Sequence, residues 1–213
     1  GAGCCGSLVH HMGKEEQSHA QAKGNIDAWT NELEGEGLDA VVITASGCGT
    51  TIKDYGHMLR HEPAYADKAA TVSALAKDIT EYLASLDIDD TVFAGASHGN
   101  PRVAYHSACS MQHGQKITRP PRDLLKQAGF EVAEIAEGHL CCGSAGVYNL
   151  LQPEIAGQLQ ERKRGNIRAT QPDLVATGNI GCMVQIETDD LKVLHTVQLL
   201  DWAAGGPVPE KLR

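Results

Sequence analysis

Seven cysteines in 213 residues carry the chemistry legible in this sequence, and they fall into two sets. Cys109, Cys141, Cys142 and Cys182 form one set; Cys4, Cys5 and Cys48 form the other. The odd count and the two adjacent Cys-Cys pairs argue against a secreted disulfide framework, which favours an even number in a shorter chain. Neighbouring cysteines also rarely bridge each other, because the small ring distorts the peptide between them. In a reducing compartment such thiols read as soft metal ligands. Four of them can hold zinc or a [4Fe-4S] cluster. Structural zinc sites are usually built from short Cys-x-x-Cys-type knuckles, and the sequence has none. A cluster suits the spacing better. Gly143, Gly146, Gly178 and Gly181 are expected to let backbone N–H groups approach its sulfurs and stabilise their negative charge.

The two sets belong to an internal repeat. Gly3-Cys4-Cys5-Gly6-Ser7 matches Leu140-Cys141-Cys142-Gly143-Ser144, and Lys23-Gly-Asn-Ile-Asp-Ala28 matches Arg164-Gly-Asn-Ile-Arg-Ala169. Leu38-Asp39-Ala-Val with Ser46-Gly47-Cys48 matches Pro172-Asp173-Leu-Val with Ile180-Gly181-Cys182. Three matches in one order indicate a duplicated unit, with modules expected over 1–95 and 96–213. The second copy has one more thiol, Cys109, with 31 residues between it and Cys141. Its counterpart in the first copy falls before residue 1. With no initiator Met and a dense motif at residue 4, the chain reads as a fragment or processed product. The first set then draws a fourth ligand from elsewhere, holds a three-iron cluster, or stays empty.

Other polar residues are weaker signals. His10, His11, His106, His139 and His195 flank strand ends or cysteine loops, and His106, three residues before Cys109, is the best placed to support a metal centre. Asn149, Asn179 and Gln185 are similar candidates. The basic run Arg162-Lys163-Arg164, with Arg168 after it, reads as a solvated helix face. No Ser-His-Asp order, paired-carboxylate site, P-loop or dinucleotide fingerprint stands out, so no catalytic residue is assigned.

Alternating strands and helices must position these ligands. The pattern predicts helices over 16–34, 50–60, 67–85, 120–129, 153–169 and 195–204. Strands are expected over 38–45, 102–106, 130–135, 173–177 and 192–194, with turns at 46–49 and 178–182. The helix over 120–129 has a proline start and a glycine stop. Residues 88–101, polar and glycine-rich, read as the link between modules. This order specifies an α/β fold of short parallel sheets flanked by helices. In such a fold the loops after the strands converge on one edge of the sheet.

Composition narrows the function classes. The apolar share of 42% supports a core, built from aliphatic residues because the chain has only two Phe, two Trp and five Tyr. Its 23 glycines suit many tight turns. A net charge of -9 disfavours duplex nucleic acid as a partner. No apolar run reaches the length of a transmembrane helix, and no signal peptide opens the chain.

Cys109-x₃₁-Cys141-Cys142-Gly143-x₃₈-Cys182 resembles the cysteine-rich CCG domain, which occurs twice in the cysteine-rich component of heterodisulfide reductases and in iron-sulfur subunits of flavin-linked hydroxyacid oxidoreductases. The segments Gly3–His11, Thr44–Gly49, Tyr105–Gly114, Leu140–Asn149 and Thr177–Cys182 are most similar to the C-terminal region of glycolate oxidase iron-sulfur subunits. The resemblance implies two similar CCG-type modules in pseudo-twofold duplication, with all seven cysteines as ligands of iron-sulfur clusters, [4Fe-4S] in the second copy. It further implies an electron relay from flavin-containing glycolate oxidase subunits, where FAD resides, to a quinone-type membrane acceptor. The expected location is cytoplasmic, or peripheral at the inner membrane within a complex. The fullest family pattern ends in Cys-x-x-Cys; here Ala45 and Asn179 replace the first cysteine of that pair, which argues for an ordinary four-thiolate cluster over disulfide-reducing chemistry. Two alternatives remain open. One is an iron-sulfur subunit of a lactate or glycerol-3-phosphate dehydrogenase. The other is a docking scaffold whose thiols bind zinc or nothing.

Overall fold

The computed structural model describes residues 1–93 and 99–213. The chain forms two compact units, Gly1–Asp78 and Ile79–Arg213. The expected module boundary at 95/96 lies outside the described residues.

In the first unit, α1 (Ser7–His11) and α2 (Glu15–Glu34) precede β1 (Val41–Ile43), α3 (Ser46–Lys53), α4 (Tyr55–Met58), α5 (Ala66–Leu75) and β2 (Ala76–Asp78). The strands pair in parallel, with Val41 opposite Ala76 and Ile43 opposite Asp78. The single helix expected over 67–85 is therefore broken. Ala76 and Asp78 are buried beside β1, and this pairing overrides the helical preference of Leu-Ala-Lys. The turn expected at 46–49 is instead the first turn of α3. Ala22, Ile26, Ile43, Ile52, Tyr55, Leu59 and Val72 form the core.

The second unit begins with α6 (Ile79–Ala84), followed by β3 (Arg102–Tyr105), α7 (Pro120–Gln127), β4 (Glu131–Ala133), α8 (Tyr148–Leu151) and α9 (Pro153–Arg168). It continues through β5 (Leu174–Thr177), α10 (Ile180–Ile186), β6 (Val193–His195) and α11 (Thr196–Ala203). All four strands are parallel, in the order β4-β3-β5-β6. Gly129, at φ 85°, ends the α7 segment as its sequence implies. One core packs against α7 and α11; the other holds Ala104, Met111, Ile167, Val175, Ile186 and Val193 together with Cys142 and Cys182. The register Tyr105–Ala176 and Thr177–His195 brings the carboxyl ends of β3, β5 and β6 level, so the loops after them open on one edge. Among the described residues, no helix is long and apolar enough to cross a membrane.

Candidate metal centre

Three chain segments deliver four thiols to that edge of the second unit. The first leaves β3 through His106 and reaches Cys109, where a short π-helical turn, Ser110–Gly114, begins. The second is the loop between β4 and α8, which carries Cys141 and Cys142. The third is the first turn of α10, which carries Cys182. The thiol of Cys142 donates to Sγ of Cys182 at 3.3 Å. Cys141 is hydrogen-bonded to both Cys109 and Cys142, so the four form one connected set. Cys142 and Cys182 are buried; Cys109 and Cys141 are half-buried.

His106 joins them. One of its ring nitrogens and Sγ of Cys142 and Cys182 all lie within 4.8 Å of one another. The ring is 1% exposed, and its Nε2 has no hydrogen-bond partner among the described residues. The same holds for Ser107 Oγ, Thr177 Oγ1 and Thr196 Oγ1, which follow or end β3, β5 and β6. Unpaired buried polar atoms are costly, about 1–3 kcal/mol each, and their concentration on this edge is what a bound polar or metallic group would relieve.

The electrostatics divide the four thiols. The hydrogen bond from Cys142 draws the Cys182 thiol down to about 6 against its burial, with His106 adding to the effect. Cys141 is also pulled well below an ordinary thiol, first by Cys109 and then by Cys142, and backbone amides of Gly143 and Ala145 donate to it. Each of these gains is mirrored in a neighbour. Cys109 and Cys142 are pushed up as donors to Cys141 and by burial. These hydrogen bonds favour ionisation of Cys141 and Cys182 and oppose that of Cys109 and Cys142. A donor set of soft sulfurs plus one imidazole fits a soft transition-metal group.

Two elements hold the loops in place. The Cys141-Cys142 loop has positive φ at Gly143 (96°), Ala145 (38°) and Gly146 (68°), which turns successive amides inward. Gly143 N lies 3.3 Å from Cys141 Sγ. The glycines also serve packing more than the sequence suggests. A Cβ on Gly143 would meet Ala156 O at 2.4 Å, one on Gly178 would meet Met111 Cε at 2.9 Å, and one on Gly181 would meet Ser144 Oγ at 2.7 Å.

Helix α9 is the second element, and it corrects the reading of Arg162-Lys163-Arg164 as a solvated face. Arg162 Nε donates to the Glu137 carboxylate at 2.8 Å, and Asn166 Nδ2 does so at 2.9 Å. Lys163, 1% exposed, donates to the Glu137 carbonyl at 2.9 Å. These three tie down the approach to Cys141. Arg164 donates to the carbonyls of Gln185, Ile186 and Glu187 at 3.0 Å each, and so caps the end of α10. The signal was present in the spacing: Ala156, Lys163 and Ile167 share the buried face of α9, four and seven residues apart. The lysine's charge masked the stripe.

Asn179 has a structural role that its identity announces. It is the N-cap of α10, and its Oδ1 accepts from Cys182 N at 3.1 Å. Asn179→Ala is expected to lower the stability of the unit by about 1 kcal/mol, read as a shift in urea midpoint with unchanged slope. Asn149 and Gln185 hydrogen-bond to each other at 3.1 Å, bracing α8 against α10. His195 caps α11: its Nδ1 accepts from Val197 N at 3.1 Å. His139 is exposed, with its carbonyl toward His113.

The first unit repeats part of this arrangement. Cys5 and Cys48 are hydrogen-bonded, and Cys48 is brought down to about 7 by that bond while Cys5 is driven up. Cys4 is exposed and close enough to Cys48 for its charge to be felt. Asn25 Nδ2 donates to the Cys4 carbonyl at 3.0 Å, and the buried Tyr55 hydroxyl donates to the Cys5 carbonyl at 2.8 Å. Gly6, at φ 84°, turns the loop as Gly143 does. His10 and His11 are exposed on α1.

The chain is similar to known cysteine-rich proteins. The cysteine-rich domain family, CCG, matches residues 1–53 and 103–187. The chain is 37% identical over 203 residues to the glycolate oxidase iron-sulfur subunit of Escherichia coli (strain K12), covering 95% of this chain and 49% of that protein. It is 33% identical over 212 residues to the probable glycolate oxidase iron-sulfur subunit of Bacillus subtilis (strain 168), covering 95% and 46%. Lactate utilization protein A of Shouchella clausii (strain KSM-K16) is 27% identical over 206 residues, covering 93% and 82%. The chain thus spans about half the length of the two glycolate oxidase subunits.

Proposed function

The chain belongs to the cysteine-rich CCG domain family, carrying the domain twice, and on that premise we propose that it is the relay portion of an iron-sulfur subunit in a flavin-linked glycolate oxidase. The observation that carries this reading is the meeting of Cys109, Cys141, Cys142 and Cys182 beside His106 on one sheet edge. These four thiolates would hold a [4Fe-4S] cluster, and the all-sulfur donor set suits it. When bound, such a group supplies one-electron transfer at nearly constant geometry.

The residues of this chain supply the surroundings. Burial of Cys142, Cys182 and His106 keeps water from the inner side of the centre. Amides of Gly143, Ser144 and Ala145 donate to the thiolates, spreading their negative charge. Helix α9 fixes the Cys141 loop and the α10 end together, so the four sulfurs keep one arrangement as charge comes and goes. The first set offers three thiols, fewer than a four-thiolate centre needs, so the reading assigns the relay to the second set.

Glycolate is favoured over lactate because the glycolate oxidase subunits match at higher identity. Electrons arrive from a flavin subunit and leave toward a quinone-type acceptor at the membrane. The chain removes no hydride itself.

The test is purification without oxygen followed by iron and acid-labile sulfide analysis. Stoichiometric iron and sulfide with broad visible absorption are expected. A colourless protein that stays free of iron after reconstitution, or one that takes stoichiometric zinc in its place, overturns the reading.

A further inference from the structure

Lys163 is a feature of the centre that the thiols alone do not explain. Its side chain is 1% exposed, on the face of α9 that also buries Ala156 and Ile167. Its ammonium donates to a neutral group, the Glu137 carbonyl, at 2.9 Å. The Glu137 carboxylate is already engaged by Arg162 and Asn166. A buried ammonium needs negative charge nearby, since desolvation otherwise disfavours it strongly. Burial pulls its pKa down, and the negative charge of Cys109, Cys142, Glu137 and Cys141, when they are ionised, opposes that effect. The repeat supplies an internal comparison. Aligning Lys23-Gly-Asn-Ile with Arg164-Gly-Asn-Ile places Ala22 at the position of Lys163. Ala22 is fully buried, and Ile26 and Ile167, four residues on, are both fully buried as well. The site on the helix is one that packing fills with a methyl group in the first unit and with a cation in the second.

We propose that Lys163 is a fixed positive charge held against the four-thiolate centre, and that it sets the reduction potential of that centre above the value the sulfurs alone would give. This inference rests on the reading that the second set holds an iron-sulfur cluster. Reduction adds one electron, and so one unit of negative charge, to the thiolate-bound centre. A positive charge within the same low-dielectric interior stabilises the reduced form more than the oxidised one. With the lysine protonated in both states, no proton accompanies the electron.

The experiment is a dithionite titration with redox mediators, followed by electron paramagnetic resonance, on wild type, Lys163→Arg, Lys163→Gln and Lys163→Met. Glutamine can still donate to the Glu137 carbonyl but carries no charge; arginine does both. The glutamine and methionine variants are expected to lower the midpoint so that the reduction equilibrium shifts at least tenfold, about 59 mV for one electron. Arginine should stay near wild type. Equal potentials for glutamine and wild type overturn the proposal and leave Lys163 as a hydrogen-bond donor to the loop. If methionine fails to hold a cluster, the arginine and glutamine pair decides. Loss of the cluster from all three variants, arginine included, assigns the residue to shape and also overturns it. Absence of a cluster from wild type sinks the underlying reading instead.

Discussion

Cys182→Ser is expected to leave the second unit without a stably bound metal centre: after anaerobic reconstitution its iron should fall to background and its visible absorption should disappear. The size of this effect follows from where the residue sits. Its sulfur contacts that of Cys142 at 3.3 Å and is grouped with His106 within 4.8 Å. The serine hydroxyl is a hard, poorly ionised donor in a site built for soft thiolates. Burial leaves no room for water or a distant side chain to take its place, because Cys182 is only 6% exposed. Cys142→Ser should behave alike. Cys48→Ser, in the other unit, is the control, and the signal of the second centre should survive it. Iron retained in full by Cys182→Ser would show that the ligand set has been misassigned.

Gly143→Ala carries the largest expected loss of stability. The backbone there has φ 96°, which an L-residue adopts with strain of about 1–3 kcal/mol. A Cβ would also stand 2.4 Å from the carbonyl oxygen of Ala156, a backbone atom that cannot swing aside. Relieving that overlap requires α9 to shift away from the cysteine loop, a disruption of about 1–3 kcal/mol. Together these give roughly 2–6 kcal/mol, measurable as a drop in urea midpoint. Gly157→Ala, on the same helix with open space around its Cβ, should instead stabilise by about 0.5–1 kcal/mol. A Gly143→Ala variant as stable as wild type would mean that the loop does not press on α9 as described.

Much of this architecture was legible because the signals that carry it are local. Proline at Pro120 and Pro153, glycine at Gly129 and the alternation of strand and helix place the elements of the second unit within a few residues. The duplicated Cys-Cys-Gly motif located both thiol sets. What was hidden depends on contacts between distant segments. Strand β2 forms where β1 reaches it, although Leu-Ala-Lys alone favours helix. The first turns of α3 and α10 looked like glycine turns, since Ser46-Gly47-Cys48 and Ile180-Gly181-Cys182 carry little helical preference. Lys163 looked like part of a solvated basic run, because a sequence records its charge and not the carbonyl waiting for it. The spacing from Ala156 to Ile167 and the repeat, with Ala22 in register, hinted that the position was interior.

The order of strands in the second sheet has a consequence for how the protein is made. Strand β3 lies between β4 and β5, so its second neighbour is synthesised long after the first. Cys109, Cys141 and Cys142 leave the ribosome before β5 and α10 exist, as three thiols without their fourth. The ligand set is completed only when β5 docks and α10 folds behind it. A group bound by all four thiols would therefore clasp a contact made across more than seventy residues of chain.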